Sequence, residues 1–422
     1  MRNRWLMAAV AGLLALVACG GGSSPQQASG SPIILGVLAD HATSTGVEGA
    51  ELQVNTDLAV AQINAGGGIH GHPLKVVYED PNADPAQAQS MAQALVQQQN
   101  ADVLLGGILS SECLGVEGLA ARLQVVYLSS SGCASEALTG GSGCSKYTFR
   151  FNITGRQTTI PLGKYMVATY GKNWGIVYPN YALGQSNLAA FKAGLEAAGG
   201  NLVPSQVIPI PYPEANMTPY ISRVDTGGSI NGLINSEVSA DLVRASQAIS
   251  QFGIDKKLPI VSFLGKDRFQ GVYPDSYTGT IGYLPELSES PSDNKADIAY
   301  HNAFRQQLAK EPANIQSSLG GTDKAVPGQL GYQAYTAITA LKEGMLASNF
   351  TGKADTAKLI SSLEKLHIKQ GVDAPAGDIV MNASDHQAAQ TMYIVKIQGQ
   401  QEQVIKTYQA SDLPPIGTCQ VK

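Results

Sequence analysis

Two clusters of serine residues follow apolar segments of the sequence and could bind an anion. Ser110 and Ser111 form the first cluster, and Ser129, Ser130 and Ser131 form the second. Each cluster leads towards a predicted helix, where hydroxyls and free backbone N–H groups favour an anion such as a carboxylate. Capping of the helix is the simpler explanation for any single serine. Two clusters on one predicted sheet edge favour an anion site.

Residues that could bind a cation occur later in the chain. Glu237 and Asp267 could hold a cation, and Tyr181 could place an aromatic face over it. A solvated carboxylate, or a salt bridge from Asp267 to Lys266 or Arg268, is the alternative. Together with the serines, these residues predict a cleft that recognises a zwitterion.

Motif-like strings elsewhere do not indicate catalysis. The segment 66–71 matches a dinucleotide fingerprint, but it follows a predicted helix and precedes a strand, which is the reverse of the required order. Ser362-x-x-Lys365 matches an acyl-transfer motif but lies in a charged helix. His70-x-His72 lies in a polar turn, where solvated side chains are more usual than metal ligands. We therefore expect no enzyme activity, no cofactor and no resident metal.

The elements that position these residues alternate between strand and helix patterns. Ile33–Leu38 is a continuous apolar run, typical of a strand buried on both faces. Asp84 is expected to cap a helix that begins at Pro85. The other predicted strands are 74–78, 103–105, 125–128, 174–178, 232–234 and 259–263. The other predicted helices are 54–65, 185–198, 240–252, 302–310, 332–346 and 358–366. This order predicts an α/β fold with parallel sheets wound on both faces.

The pattern restarts after Phe149-Arg150, which indicates two doubly wound parallel-sheet lobes joined by a hinge. The predicted boundaries are 33–151 and 284–368 for lobe 1, 152–283 and 369–408 for lobe 2, and 409–422 for a C-terminal tail. Lobe 2 is expected to end in a hairpin around Gly399. Ligands bind beyond the carboxyl ends of parallel strands, which are the loops 40–48, 106–113, 129–133, 179–184, 235–237 and 264–269.

The N-terminal segment has the features of an export signal. Arg2 and Arg4 precede an apolar run that is too short to span a bilayer and that ends in Leu-Val-Ala-Cys at Cys19. This ending resembles a bacterial lipobox, so we predict a signal peptide at 1–18, lipidation of Cys19 and a flexible tether at 19–32. Acyl chains would then anchor the exported protein to a membrane. An ordinary cleaved signal is the alternative.

The charge and the cysteine content further limit the classes of protein to which this chain could belong. The chain has 28 Lys+Arg against 33 Asp+Glu, and this acidic balance disfavours nucleic acid. Four cysteines remain after lipidation, an even number that favours disulfides in an oxidising compartment. Cys133 and Cys144 flank a Gly/Ser loop and are expected to pair, which leaves Cys113 with Cys419.

The most specific evidence is a set of short strings that occur together. They are INAGGGIHGHPL at 63–74, Glu79-Asp80, DPAQA at 84–88, Phe149-Arg150, YALG at 181–184 and GYQAY at 331–335. Jointly they resemble the type I periplasmic binding proteins of branched-chain amino acid transport, the Leu/Ile/Val-binding group. The resemblance runs from Ile33 to about Tyr408.

The resemblance implies a two-lobed clamp that closes on a small molecule and presents it to an ABC permease. Ser110 and Ser131 fall on the family's carboxylate-binding positions, and Asp267 falls on its ammonium-binding position. Cys133 stands where the family commonly has threonine. The full set of predicted ligand-binding residues is Ser110, Ser111, Ser131, Cys133, Tyr181, Leu183, Glu237, Asp267 and Glu48.

We therefore expect a lipid-anchored, extracytoplasmic and monomeric component of an ABC importer. Its ligand is expected to be amino-acid-like or another small carboxylate, without the family's leucine specificity. A ligand-sensing module for a membrane signalling partner is the alternative, because it would use the same clamp.

Overall fold

The structure is a computed structural model that describes residues 28–42, 45–130, 132–139, 144–152, 155–263 and 265–413. The predicted signal peptide and Cys19 lie outside these ranges, as do Ser131 and Cys419. Among the helices within these ranges, none is both long enough and apolar enough to cross a membrane.

The elements alternate along the chain as the sequence predicts. The strands are β1 (Ile33–Leu38), β2 (Leu74–Glu79), β3 (Val103–Gly106), β4 (Val126–Ser129), β5 (Thr148–Arg150), β6 (Asn173–Pro179), β7 (Asn201–Ile210), β8 (Gly232–Asn235), β9 (Ile260–Ser262), β10 (Ile281–Leu284), β11 (His367–Ile368), β12 (Ile379–Asn382), β13 (Gln387–Gln390), β14 (Met392–Gln398) and β15 (Gln401–Tyr408). The helices are α1 (Gly46–Ala65), α2 (Pro85–Gln97), α3 (Ser110–Leu123), α4 (Ser135–Leu138), α5 (Arg156–Tyr170), α6 (Ala182–Ala197), α7 (Thr218–Ile221), α8 (Ser239–Gln251), α9 (Lys295–Leu308), α10 (Ala313–Ser318), α11 (Gln329–Ser348) and α12 (Thr356–Leu363).

Lobe 1 is built on an eight-stranded sheet in the order β11-β12-β13-β5-β4-β3-β1-β2. The strands from β13 to β2 run parallel, and β12 and β11 run antiparallel at one edge. Helices cover both faces, with α1 packed on α11. Strands β3 and β4 are fully buried, as expected for central strands of a doubly wound sheet.

Lobe 2 is built on a seven-stranded sheet in the order β15-β14-β10-β9-β8-β6-β7. The strands from β10 to β7 are parallel, and β14 and β15 form the predicted antiparallel hairpin. Trp174 is buried at the start of β6, where it packs in the core of this lobe. The predicted fold class of two doubly wound lobes is confirmed.

The chain passes between the lobes after β5, after β10 and at Thr391, between β13 and β14. The last of these passages differs from the predicted boundary at 369. Strands β11, β12 and β13 complete the sheet of lobe 1, so this lobe extends to Gln390. The sequence did not reveal these strands because they are short and two of them are rich in polar residues.

The N-terminus of α2 is capped as the sequence predicts. The Asp84 carboxylate accepts hydrogen bonds from the backbone N–H groups of Ala86 at 2.8 Å and Gln87 at 3.0 Å, and Pro85 is the first helical residue. These contacts confirm the predicted start of the helix.

Candidate functional site

A small cavity lies between the lobes, beyond the carboxyl ends of the parallel strands. It offers about 50 Å³ to the centre of a water molecule, whereas one ordered water needs about 10–15 Å³. The closed cavity therefore suits a compact molecule. Its lining residues are Glu48, Ile108, Leu109, Gly132, Gly155, Thr158, Thr159, Tyr181, Leu183, Asn187, Ala190, Phe191, Ser236, Glu237, Val238, Ser239, Leu242, Phe263, Tyr283 and Leu330.

The topology of both sheets explains this position. In lobe 1 the connections from β1 and β3 leave in opposite directions, and in lobe 2 those from β6 and β8 do the same. Such switch points open a crevice at the carboxyl edge of a doubly wound sheet. The two crevices face each other and share the cavity.

Six helices begin at this cavity. Lining residues lie in or next to the first turns of α1, α3, α5, α6, α8 and α11. Each helix N-terminus carries a partial positive charge and unpaired backbone N–H groups. The backbone therefore creates a positive electrostatic environment, although no Lys, Arg or His side chain is among the lining residues in the described part of the chain.

The first acidic side chain of the cavity connects the two lobes. Glu48 lies in the first turn of α1 in lobe 1, and its Oε1 accepts a hydrogen bond of 2.6 Å from the Ser239 hydroxyl in lobe 2. Ser239 has a backbone φ of +51°, a conformation that is uncommon for a residue with a side chain. This contact joins the two sides of the closed cavity.

The second acidic side chain has a different environment. Glu237 is completely buried, and within the described ranges neither of its carboxyl oxygens has a hydrogen-bond partner. Burial, with a smaller contribution from the neighbouring negative charge of Asp241, raises the pKa of Glu237 to about 9. A buried polar group without a partner is costly, so it requires an explanation such as a ligand.

Aromatic rings surround the remaining space. Tyr181 stacks on Tyr212 with ring centroids 4.8 Å apart. Tyr283 contacts Phe263 at 5.5 Å and Phe191 at 6.1 Å between centroids. Together with the aliphatic lining residues, these rings provide an apolar surface next to the two glutamates.

Comparison with known proteins decides the family. The sequence model of the periplasmic binding protein family matches residues 32–402. The chain belongs to this family. The two lobes and the cavity between them are therefore those of a periplasmic binding protein.

Individual relatives are distant. The Leu/Ile/Val-binding protein homolog 6 of Brucella abortus (strain 2308) is 26% identical over 196 residues, which are 46% of this chain and 48% of the relative. The matched part of the binding protein thus spans about half the length of this relative.

Solved structures with similar folds cover almost the whole binding protein. An ABC transporter substrate-binding protein from Sphaerobacter thermophilus has a TM-score of 0.76 at 21% identity, covering 91% of this chain and 100% of that one. A solute-binding protein of an ABC transporter from Rhodopseudomonas palustris BisB5, in complex with 3,4-dihydroxy benzoic acid, has a TM-score of 0.74 at 18% identity, covering 90% and 98%. At this level of identity the similarity establishes the fold.

Four residues of the predicted site line the cavity of the binding protein, namely Glu48, Tyr181, Leu183 and Glu237. Three others are elsewhere. Ser110 is buried and its Oγ accepts a hydrogen bond of 3.0 Å from the backbone N–H of Ala134, which fixes the loop after β4. Ser111 is exposed. Asp267 is buried in a short 3₁₀ helix and does not line the cavity.

A disulfide within the described part of the binding protein differs from the predicted pairing. Cys113, on α3, is joined to Cys133 after β4. Since each cysteine forms one disulfide, both predicted pairs, Cys133–Cys144 and Cys113–Cys419, are corrected by this bond. The short spacing in sequence favoured a bond between Cys133 and Cys144 across the Gly/Ser loop. In the structure the parallel pairing of β3 and β4 instead brings Cys113, near the N-terminus of α3, next to Cys133.

The sequence analysis did not predict several of the lining residues, and most of these lie at or near the start of a helix. Thr158, Thr159 and Ser239 lie at the starts of helices that were either not predicted or predicted one residue later. Their hydroxyls have local roles as well: Thr158 donates to the Gly155 carbonyl at 2.9 Å and Thr159 to the Ala190 carbonyl at 2.6 Å. Helix starts at the carboxyl edges would have identified these positions.

Proposed function

We propose that this periplasmic binding protein is the extracytoplasmic solute-binding component of an ABC importer, anchored through Cys19. Its ligand is a small amino-acid-like zwitterion with a compact apolar side chain. The protein binds this ligand between its lobes, releases it unchanged to a permease and acts as a monomer.

The observation that carries the proposal is the isolated carboxyl of Glu237. A buried carboxyl without hydrogen-bond partners gains most from a group that brings both positive charge and N–H donors. A ligand ammonium does both, and Glu48 and the face of Tyr181 border the same space. This arrangement supports Glu237, in place of Asp267, as the cation-binding residue.

The carboxylate of a zwitterion has a complementary environment at the helix N-termini. The residues before α3 line the cavity at Ile108 and Leu109, next to the backbone of Gly132. The backbone N–H groups of Ile108 and Leu109 already donate to Glu112 Oε2, each at 2.9 Å, which holds the start of α3 in place. The positive end of the helix dipole then favours an anion at this side.

The Cys113–Cys133 disulfide removes one side-chain hydrogen bond to the ligand that the resemblance to the family implies. The resemblance to the Leu/Ile/Val-binding group implies a threonine hydroxyl at the position of Cys133, and a disulfide sulfur has no hydrogen to donate. The ligand carboxylate therefore relies on backbone groups and on the other hydroxyls of the lining. The apolar lining supports a side chain such as that of the ligands named for the Brucella relative.

A second candidate ligand is an aromatic carboxylate. The rings of Phe191, Phe263 and Tyr283 favour it, and a protonated Glu237 could donate a hydrogen bond to its carboxylate. The Rhodopseudomonas palustris neighbour is described as a complex with such a ligand. The two candidates require opposite protonation states of Glu237.

Calorimetric titration with a panel of amino acids and hydroxybenzoates tests the proposal. We expect an apolar amino acid to bind and the Glu237→Gln variant to lose about 10–100-fold in affinity, as for a hydrogen bond to a charged group. Asp267→Asn is the matched carboxyl-to-amide control and should retain the affinity. Binding of hydroxybenzoates alone would favour the second candidate, and equal losses in both variants would contradict the role of Glu237.

The transport role has a separate test. A strain that lacks this protein should lose uptake of the ligand identified by calorimetry, and the complementing gene should restore it. Unchanged uptake would favour the sensing alternative.

A further inference from the structure

A buried cluster away from the ligand cavity has the composition of a metal site. It consists of Glu286, Asp297 and His301, whose potential ligand atoms all lie within 4.8 Å of one another. All three side chains are at most 5% exposed. The cluster lies in lobe 1, where the chain enters from β10.

We propose that Glu286, Asp297 and His301 bind one divalent transition-metal ion, with Zn²⁺ as the preferred ion. This site is independent of the solute-binding function proposed above.

The first argument is geometric. His301 Nε2 lies 2.7 Å from Glu286 Oε1 and 4.0 Å from Asp297 Oδ2. Tetrahedral zinc with bonds of about 2.0–2.2 Å places its ligand atoms roughly 3.3 Å apart. The two observed distances lie on either side of this value, so changes of side-chain rotation within the cluster would complete the site.

The second argument is the state of the remaining oxygens. Glu286 Oε2 and Asp297 Oδ1 are buried, and within the described ranges neither makes a hydrogen bond of good geometry. The hydroxyl of Ser290 is in the same state, and these three side chains interact only weakly with one another. Because unpaired buried carboxyl oxygens are costly, two of them on carboxyl groups beside one imidazole favour a bound cation.

The surrounding charges also favour a cation. Glu289 and Glu402 both act electrostatically on His301, while Arg305 on the same helix opposes them. Glu402 is itself held by the Tyr273 hydroxyl at 2.5 Å and by the Ser288 hydroxyl at 2.6 Å. Among these neighbours the carboxyl groups outnumber the one guanidinium.

The donor set selects the type of ion. One imidazole and two carboxylates suit zinc and its first-row neighbours, whereas Ca²⁺ and Mg²⁺ require more oxygen ligands or retained waters. Ser290 offers a further oxygen next to Asp297. Asp297 and His301 are one helical turn apart on α9, so two of the ligands are already on one face.

The site would have a structural consequence at the hinge. Glu286 lies two residues after β10, in the segment that leads from lobe 2 to lobe 1, and the other two ligands lie on α9. A bound ion would fix this passage to lobe 1 and stabilise the folded chain.

Calorimetry and thermal unfolding of the chelator-treated full chain with ZnCl₂ test this inference. We expect one zinc ion per chain and a rise in Tm of several degrees, since an ion that binds only the folded state stabilises it. The Asp297→Asn and His301→Gln variants should each weaken zinc binding by at least about ten-fold, the loss typical of removing an outer-shell partner alone.

His367→Ala provides the control. His367 lies in a partly exposed pair with Asp378, at 3.3 Å, and should leave the zinc titration unchanged. Two variants at the cluster are used because one of them could fail to fold. Absence of heat and of a Tm shift with the native chain, or zinc binding that persists in Asp297→Asn and His301→Gln, would overturn the proposal.

Discussion

At the scale of single residues, the two glutamates of the cavity show how environment separates identical side chains. Glu48 is hydrogen-bonded to Ser239 across the gap between the lobes. Glu237, on the opposite lobe, has no such partner among the described residues, and burial raises its pKa to about 9. Glu237 is therefore protonated in the unliganded protein near neutral pH, and a ligand changes its charge.

This difference predicts a proton linked to ligand binding. An ammonium ligand binds the ionised form of Glu237, so at pH 7 binding should release close to one proton. Affinity should rise with pH by about ten-fold per unit while the pH stays below the pKa of Glu237. Titrations in two buffers with different enthalpies of ionisation measure the released proton, and Glu237→Gln should abolish it. Absence of proton release at pH 7, or affinity that falls as the pH rises through the pKa of Glu237, would contradict an ammonium partner and favour an aromatic carboxylate.

The cysteines provide a second prediction at this scale. Proteolysis without reduction, followed by mass spectrometry, should yield a peptide pair linked through Cys113 and Cys133. Recovery of Cys133 with Cys144, or of Cys113 with Cys419, would instead support the pairing expected from sequence spacing.

The predicted site residues that lie on the cavity, such as Tyr181 and Glu237, follow strands whose ends were visible in the sequence. Ser110 shows what was not visible. Its position next to α3 was predicted, but its hydroxyl is occupied by the N–H of Ala134, a residue 24 positions away. Which neighbour satisfies a polar group depends on tertiary packing, so composition alone could not separate a ligand contact from an internal one.

At the scale of elements, the sequence predicted strands correctly where the apolar pattern is strong and missed them where the buried residues are polar. β1 was predicted with its observed bounds because five of its six residues, all except Gly36, are aliphatic and favour a buried strand. β13 was missed because it begins and ends with glutamine. Gln387 donates to the Asn152 carbonyl at 2.7 Å and Gln390 to the Phe151 carbonyl at 2.6 Å, which makes their burial favourable. Hydropathy does not detect such contacts.

The close contact between the end of β6 and the start of α6 predicts that a side chain at Gly184 would destabilise the protein. A Cβ atom at Gly184 would lie 1.6 Å from the carbonyl oxygen of Pro179, so Gly184→Ala must displace the start of α6. We expect a loss of about 1–3 kcal/mol in the free energy of unfolding, as for other overpacked sites. Because Leu183 lines the cavity, ligand affinity should fall as well. Denaturant titration measures the stability.

Gly118→Ala is the matched control for this substitution. Gly118 lies on the exposed face of α3, and the nearest atom to an added Cβ is Arg122 Nη1 at 3.7 Å. Alanine there should stabilise the helix by about 0.5–1 kcal/mol. Equal effects of the two substitutions would show that α6 tolerates displacement from β6.

At the scale of the whole molecule, the two sheets are connected by three passages of the chain, and the closed cavity lies between them. The resemblance to two-lobed binding proteins predicted this architecture, but the distribution of strands between the lobes depended on edge pairing. A molecule of this kind can bind a buried ligand only if its lobes separate. The balance between open and closed forms therefore depends on the few contacts that cross the gap.

The hydrogen bond between Ser239 and Glu48 is such a contact, and its removal should favour the open form. Ser239→Ala keeps the side chain small and removes the hydroxyl, which should cost the closed form about 1–3 kcal/mol. Small-angle X-ray scattering of the ligand-free variant should give a larger radius of gyration than the native protein, and excess ligand should restore the compact value. Ser250→Ala, in the last turn of α8, is the control and should leave the radius unchanged. An unchanged radius in Ser239→Ala, with native ligand affinity, would show that other contacts hold the lobes together and that Ser239 owes its left-handed backbone to the local path of the chain.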